Sequence, residues 1–300
     1  VSILIDASTR VIIQGITGAQ ARFDLQWCLN YGTRVVAGVT PGRGGETVLD
    51  IPVYDTVERA LRDHPADATV LYVPPLLVKN AVLEAIDGGL RLIAVLAEYV
   101  PMHDIVTIVA AARRAGARLI GCNTNGIISP GRSKLGGIGG VDPAEIYAPG
   151  RIGVVSRSGG MSAELGLTLK AAGLGISTSV SMGGDAVTGL TMADYLHLFQ
   201  QDPETDAIVL FGEPGTRNEE EVARQIASGK VTKPVVALIA GRFQEDYPPG
   251  MSFGHAAAMI NEASQSASAK RAALRAAGAR VAAALEDIPT LLRAALAESH

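Results

Sequence analysis

Short apolar runs alternate with longer mixed stretches along this chain. Residues 10–14, 34–39, 69–73, 91–96 and 118–121 are runs dominated by Val, Ile, Leu and Ala. Runs of this length suit strands buried on both faces of a sheet. The Ala- and Leu-rich stretches near 20–31, 56–63, 76–88 and 103–115 carry helical patterns. Their alternation predicts a βαβ series, and hence a parallel, doubly wound α/β sheet. Gly88-Gly89, Ala115-Gly116-Ala117 and Ala277-Gly278-Ala279 punctuate helix ends. A glycine just past a helix adopts the left-handed conformation at little cost.

The rhythm breaks over 126–150. Gly126-Ile127-Ile128-Ser129-Pro130-Gly131 and Leu135-Gly136-Gly137-Ile138-Gly139-Gly140 are rich in turn formers, and Pro149-Gly150 closes the stretch. It reads as a linker or irregular crossover. The alternation then restarts. Strands are predicted at 151–156, 175–181, 207–211, 235–240 and 278–283. Helices are predicted at 161–172, 190–200, 217–229, 256–260 with 268–277, and 287–298. The chain therefore divides into an α/β domain over 1–125, a linker over 126–150 and a second α/β domain over 151–300. The two halves share an architecture without a sequence repeat.

Composition narrows the function classes. Hydrophobic residues make up 48% of the chain and aromatics 4%, so the core is aliphatic. Lys and Arg total 26 against 30 Asp and Glu, a formal charge of −4. That balance offers no basic field for nucleic acid. No apolar run reaches membrane-spanning length. Val1-Ser2-Ile3-Leu4-Ile5-Asp6 lacks the basic and apolar regions of a secretory signal. A cytoplasmic chain is expected. The two cysteines, Cys28 and Cys122, form no metal-ligand cluster, and free thiols are the plain reading.

Candidate chemistry gathers in the loops after the strands. Gln14-Gly15-Ile16-Thr17-Gly18-Ala19-Gln20-Ala21 joins the first strand to the first helix. Glycines there let a phosphate approach the backbone, and a helix N-terminus presents free N–H groups to it. A dinucleotide enzyme usually carries an acidic residue after the second strand to hold a ribose diol. Here that position reads Val39-Thr40-Pro41-Gly42-Arg43-Gly44-Gly45. An arginine in place of an acid suits a ligand with an additional phosphate, such as coenzyme A or NADP. A solvated arginine in a tight turn is the plainer alternative.

The second domain repeats the device. Val154-Val155-Ser156-Arg157-Ser158-Gly159-Gly160-Met161 leads a strand into a helix, suiting a phosphate or carboxylate, although serine also caps helices routinely. Met182-Gly183-Gly184-Asp185 follows the next strand, Phe211-Gly212-Glu213-Pro214-Gly215 the one after, and Phe253-Gly254-His255 lies beyond the fourth. Loops at the carboxyl ends of parallel strands are where open α/β sheets bind ligands. Imidazole can carry a proton, bind a metal or act as a nucleophile, and a carboxylate can fix its tautomer. Glu213 is the candidate partner of His255.

These segments, with Ser2-Ile3-Leu4-Ile5-Asp6, Tyr31-Gly32-Thr33, Tyr72-Val73-Pro74, Thr232-Lys233-Pro234-Val235-Val236 and Gly254-His255-Ala256, resemble the α subunit of succinyl-CoA synthetase over nearly the whole chain. The resemblance implies a Rossmann-like CoA-binding domain followed by a flavodoxin-like ligase domain. It implies an NDP-forming acid–CoA ligase in which His255 is phosphorylated by ATP or GTP. The nucleotide and Mg²⁺ would be held by a separate β subunit of ATP-grasp fold, in an αβ or α2β2 heteromer. The phosphoryl group would pass to a small carboxylic acid, and CoA would displace it from the acyl phosphate. Thr17, Gly18, Ala19, Gln20, Arg43, Val73 and Pro74 fall at the family's CoA positions, and Glu98 and Asn123 near its thiol and carboxylate end. Ser156, Ser158, Gly159 and Gly160 would stabilise the phosphoryl group, with Glu213 orienting the imidazole.

The chain also departs from the family pattern. Cys122-Asn123-Thr124-Asn125-Gly126 stands where the family has Pro-Asn-Cys-Pro-Gly or a close relative. Glu98-Tyr99-Val100-Pro101 replaces Glu-Gly-Ile-Pro, and Gly160-Met161-Ser162-Ala163-Glu164 replaces a segment that usually bears Thr and Tyr. The loop before His255, residues 242–250, is longer and more acidic. The acid pocket is therefore expected to differ, with malate or another substituted acid as alternatives to succinate. A CoA-binding paralogue without phosphoryl transfer and an NADP-dependent oxidoreductase are the competing readings.

Overall fold

The computed structural model describes residues 2–255 and 257–298. By contact the chain forms two compact units. One comprises Leu4–Pro143 with Val187–Leu190, and the other is built from Ala144–Ala186 and the residues from Thr191 onward.

The first unit runs β1 (Arg10–Gln14), α1 (Ala19–Asn30), β2 (Arg34–Val39), β3 (Thr47–Val48), β4 (Ile51–Tyr54), α2 (Val57–Asp63), β5 (Ala68–Leu71), α3 (Val78–Asp87), β6 (Leu92–Val95), α4 (Met102–Ala115) and β7 (Arg118–Gly121). The sheet order is β3-β4-β2-β1-β5-β6-β7. All neighbours are parallel except β3 and β4. The six parallel strands therefore follow the doubly wound Rossmann order, with the topological switch between β1 and β5. The strand cores are sequestered as their composition requires: Ile12, Leu71, Ile93, Ala94, Val95 and Ile120 are buried. A hairpin of β8 (Gly126–Ser129) and β9 (Ser133–Leu135) follows, antiparallel, and a one-turn helix α5 (Pro143–Ile146) comes after it.

The second unit runs β10 (Pro149–Ser156), α6 (Gly159–Ala171), β11 (Ile176–Ser181), α7 (Met192–Gln201), β12 (Ala207–Gly212), α8 (Asn218–Ala227), β13 (Val235–Ile239), α9 (Ala267–Ala276), β14 (Arg280–Val281) and α10 (Ile288–Glu298). Its parallel strands lie in the order β14-β13-β12-β10-β11. That is the flavodoxin-like order, with the switch between β10 and β12. Helix starts carry their own caps. The Thr191 hydroxyl accepts from Asp194 N at 3.2 Å and the Asp194 carboxylate accepts from Thr191 N at 2.8 Å, a reciprocal box opening α7.

Two local patterns depart from the sequence reading. β3 and β4 were not evident in the apolar rhythm, because β4 is Ile51-Pro52-Val53-Tyr54 and pairs with β2 through only Val53 and Tyr54. A proline confines such a strand to the sheet margin. The helix expected over 256–260 is absent from 257–260. An antiparallel bridge between Ser252 and Met259 closes that segment into a loop, and the helix starts at Ala267 behind a Ser266 cap. Ala256 itself lies outside the described residues.

Candidate active site

In the second unit, three loops at the carboxyl edge are drawn together by one side chain. Arg157, directly after β10, is buried. Its Nη2 donates to the carbonyls of Gly184 at 3.0 Å and Asp185 at 3.3 Å, in the loop after β11. Its Nη1 donates to Thr216 Oγ1 at 3.4 Å, in the loop after β12. Its Nε faces Glu213 Oε1 at 3.5 Å. Planar guanidinium, with five donors in a fixed fork, is the side chain that can serve several acceptors at once.

Glu213 in turn meets the histidine. His255 Nδ1 lies 2.7 Å from Glu213 Oε1, with the imidazole 28% and the carboxylate 13% exposed. A carboxylate only accepts, so the shared proton sits on Nδ1, and in the neutral ring the lone pair is on Nε2. The ring also packs close to the Gly184 backbone. A Cβ added to Gly184 would lie 2.5 Å from His255 Cγ and Cδ2. Glycine is therefore needed there for space.

A second ion pair supports the loop that carries Glu213. Lys270 of α9 and Glu219 of α8 are fully buried and paired with each other. Lys270 Nζ also donates to the carbonyls of Gly215 and, at 3.2 Å, Thr216. Glu219 Oε1 accepts from the Glu213 backbone N–H at 3.2 Å. Glu220 joins this group at 3.6 Å from Lys270, and burial raises its pKa above the usual carboxylate value. Breaking a buried pair by removing one partner costs about 3–5 kcal/mol, so the loop has a firm base. The sequence reading places Arg157 and Gly184 in turns without assigning either side chain or backbone a task, and gives Glu219 and Lys270 no role. The signal for Lys270 is weak in sequence, one lysine between Ala269 and Arg271 in a helical stretch.

The serine turn uses its hydroxyls locally. Ser158 Oγ accepts from Met161 N at 3.4 Å and caps α6, while Ser156 Oγ donates to Ser158 O at 2.6 Å and accepts from Ser158 N at 3.1 Å. Gly159 and Gly160 open α6, and Gly160 is exposed. The turn is thus pre-shaped by its own bonds, and the first-turn backbone carries the open face.

In the first unit, a cleft of about 440 Å³ lies at the β1/β5 switch. Thr17, Gly18, Val73 and Pro74 line it, with Thr40, Tyr72 and Asn80. Gly15 takes φ +78°, and a Cβ there would lie 2.7 Å from Tyr72 O, so the turn closes only on glycine. Gly18 caps α1 without a side-chain hydrogen bond, which leaves the first-turn N–H groups of α1 without a side-chain acceptor. Such an end suits an anion. Ala19 and Gln20 lie in that first turn, outside the cleft lining, with Gln20 Nε2 donating to Asp24 at 3.1 Å. Arg43 also lies outside the lining. It is exposed, with Nε 2.5 Å from Glu46 Oε1.

Glu98 and Asn123 sit further along the same edge, after β6 and β7. Asn123 N donates to Ala97 O at 3.0 Å and brings the two loops together. Asn123 and Tyr99 both adopt positive φ, and Tyr99 is 82% exposed. Three strand spacings separate β1 from β7, roughly 14 Å, so one ligand spanning both would have to be elongated. Glu98 and Asn125 are exposed. Cys28 and Cys122 are buried and form no disulfide, and burial pushes the Cys28 thiol up to about 11. Among the described residues no group of three or more His, Cys, Asp or Glu side chains could hold a metal. No helix among them is long and apolar enough to cross a membrane.

The chain matches two family models, a CoA binding domain over residues 6–99 and a succinyl-CoA ligase-like flavodoxin domain over 149–295. It is 47% identical to an ADP-forming succinate–CoA ligase α subunit of Archaeoglobus fulgidus, over 99% of each chain. This chain belongs to the succinate–CoA ligase α-subunit family. Its class is therefore that of the NDP-forming acid–thiol ligases, which use CoA and a nucleotide and pair the α chain with a β subunit. The NADP oxidoreductase reading gives way to that membership. Relatives within reach differ in their acid: an ADP-forming sulfoacetate–CoA ligase subunit from an Acholeplasma species is 42% identical over 94% of this chain and 94% of its own. Among solved structures, an ATP citrate lyase of Methanosaeta concilii in complex with (3S)-citryl-CoA superposes with a TM-score of 0.92 at 28% identity. That match covers 99% of this chain, which spans about half (51%) of the lyase chain.

The contact between Gly184 and the imidazole gives a clean test of the ligase-family site. The atoms met by a new Cβ belong to the ring of a partly exposed side chain and not to backbone, so Gly184→Ala displaces the ring rather than the fold. We expect a thermal midpoint close to that of the parent and, on the phosphoryl-carrier role proposed below for His255, labelling of the ring slowed by about tenfold or more, because ring placement decides the rate. Parent-like phosphorylation kinetics in Gly184→Ala would show that the ring position is not functional.

Proposed function

We propose that this α subunit carries a phosphoryl group on His255 during acyl-CoA synthesis. The observation that supports it most is the 2.7 Å contact between His255 Nδ1 and Glu213, within an array held by Arg157. The Nε2 lone pair attacks the γ-phosphorus of ATP or GTP, and the bond to the nucleoside diphosphate breaks. A carboxylate oxygen of the acid then attacks phosphorus, breaking the P–N bond and forming an acyl phosphate. Attack by the CoA sulfur on the acyl carbon releases phosphate and gives the thioester. Glu213 holds the imidazole through these steps and partners the charge of the ring. The N-terminal turn of α6, from Ser158 through Gly159 and Gly160, offers N–H groups to the phosphoryl oxygens, with Ser156 shaping the turn. The intact array favours this reading over a CoA-binding paralogue without phosphoryl transfer.

CoA is a substrate in this scheme. We assign its phosphates to the Thr17–Gln20 turn, with Arg43 turning from Glu46 toward the additional phosphate, and its body to Val73 and Pro74. Glu98 and Asn123 would meet the thiol end. The nucleotide and Mg²⁺ fall to a β subunit of ATP-grasp fold, in an αβ or α2β2 assembly. Cys28 and Cys122, buried and outside any disulfide, fit a reducing compartment, and we place the enzyme in the cytoplasm.

The acid is read from the loops after β6 and β7. Asn125 offers an exposed amide where a substrate's distal group could be held. A buried amide left unpaired on substrate binding costs about 1–3 kcal/mol, so a polar distal group is favoured. The test is a screen of succinate, malate and sulfoacetate with CoA, ATP or GTP and the cognate β subunit. We expect thioester formation that requires the β subunit, with malate or another substituted acid rivalling succinate in kcat/KM. Succinate ahead by more than about tenfold overturns the altered-acid reading. No thioester with any small acid overturns the ligase reading itself.

A further inference from the structure

Arg157 is the buried cation that the phosphoryl-transfer scheme leaves without work. Its Nη atoms are spent on Gly184 O, Asp185 O and Thr216 Oγ1. Its Nε is different: it is buried and makes no hydrogen bond among the described residues. That donor faces Glu213 Oε1 at 3.5 Å, the same oxygen that meets His255 Nδ1 at 2.7 Å. A buried donor without a hydrogen bond calls for an explanation in a native fold. The loops after β11 and β12 both meet this guanidinium, which the loop after β10 carries, and both touch the imidazole: Gly184 packs on the ring and Glu213 bonds it.

We propose that Arg157 is a positioning residue for phosphoryl transfer, fixing the Glu213 carboxylate and, through it, the Nδ1-protonated tautomer of His255. The proposal rests on the phosphohistidine reading for its consequence and on geometry alone for its mechanism. Glu213 has two directions in which to turn, toward the ring and toward solvent. A buried cation behind Oε1 biases it to the first. The same side chain sets the spacing of the Gly184 and Thr216 loops, so ring stacking and ring hydrogen bonding are adjusted together. Lysine supplies charge without the fork and cannot serve all four acceptors. Outer groups that orient a functional histidine typically matter by about 10–100-fold.

The test uses the full α chain with its β subunit, in the parent, Arg157→Lys and Arg157→Gln forms. Three quantities are read: ¹⁵N chemical shifts of the His255 ring in the α chain, the rate of His255 phosphorylation from γ-labelled nucleotide, and CoA affinity by calorimetry. The parent should show one tautomer, with Nδ1 protonated. Arg157→Gln should show mixed tautomers and phosphorylation slowed by about 10–100-fold, with CoA affinity within twofold of the parent. Arg157→Lys should fall between the two. Unchanged tautomer and rate in Arg157→Gln overturn the proposal. So does a parent-like Lys variant alongside an unfolded Gln variant, which would mark a purely structural cation, and so does unfolding of both. A parent chain with the Nδ1 tautomer but no label on His255 contradicts the carrier reading instead, and leaves the assignment of Arg157 standing.

Discussion

Replacing His255 by Ala or Asn abolishes acyl-CoA formation, to below about one percent of the parent rate, while the chain stays folded and binds CoA. An obligatory covalent carrier has no substitute: without Nε2 there is no atom to hold the phosphoryl group between nucleotide and acid. The fold should tolerate the change because the ring is partly exposed and lies in a loop closed by its own backbone bridge between Ser252 and Met259. Asn is the sterner control, since it keeps a polar group near Glu213. Turnover by continuous thioester absorbance, with a thermal melt alongside, checks both halves. Retained turnover in either variant would remove His255 from the chemistry.

Glu213→Gln should slow phosphorylation of His255 by about a hundredfold and leave CoA affinity unchanged. The amide is nearly the same size, so packing against Arg157 and the loop base is kept. What changes is the acceptor. The glutamine side chain can present an N–H to Nδ1 and so favour the other tautomer, with the proton on Nε2 where the lone pair is needed. The loss should therefore appear in the phosphorylation step under saturating nucleotide, not in binding. Calorimetry with CoA supplies the second reading, because Glu213 and the Gly15–Gly18 turn belong to different units. Equal losses in both measurements would make Glu213 a structural residue.

Much of this arrangement was legible before any coordinates. Apart from β4, the parallel strands of both sheets are marked by aliphatic runs, and the glycine turns fall between strand and helix. Glu213 and His255 were matched because both follow strand ends in one domain. The chain's order alone could not give their distance, since 42 residues separate them. Arg157 lies inside a serine–glycine turn in sequence, and its meaning lies in what it reaches: carbonyls of Gly184 and Asp185 and the hydroxyl of Thr216. Backbone acceptors leave no trace in side-chain patterning. Lys270 and Glu219 were hidden for a related reason, as a charged pair inside helical stretches looks like solvated surface until burial is known. β3 and β4 escaped because a proline and short pairing mimic a loop. Arg43 follows the second strand in sequence, and the structure turns it toward Glu46.

The most direct measurement of the central claim is the site of phosphorylation. The α chain is incubated with its β subunit, Mg²⁺ and γ-labelled ATP or GTP without acid or CoA, then quenched in alkali and mapped by mass spectrometry. The account expects an acid-labile, alkali-stable phosphate on His255, discharged on addition of acid substrate and CoA with matching thioester formed. A label on any other residue, or thioester formation by a chain that never carries phosphate on His255, would contradict it.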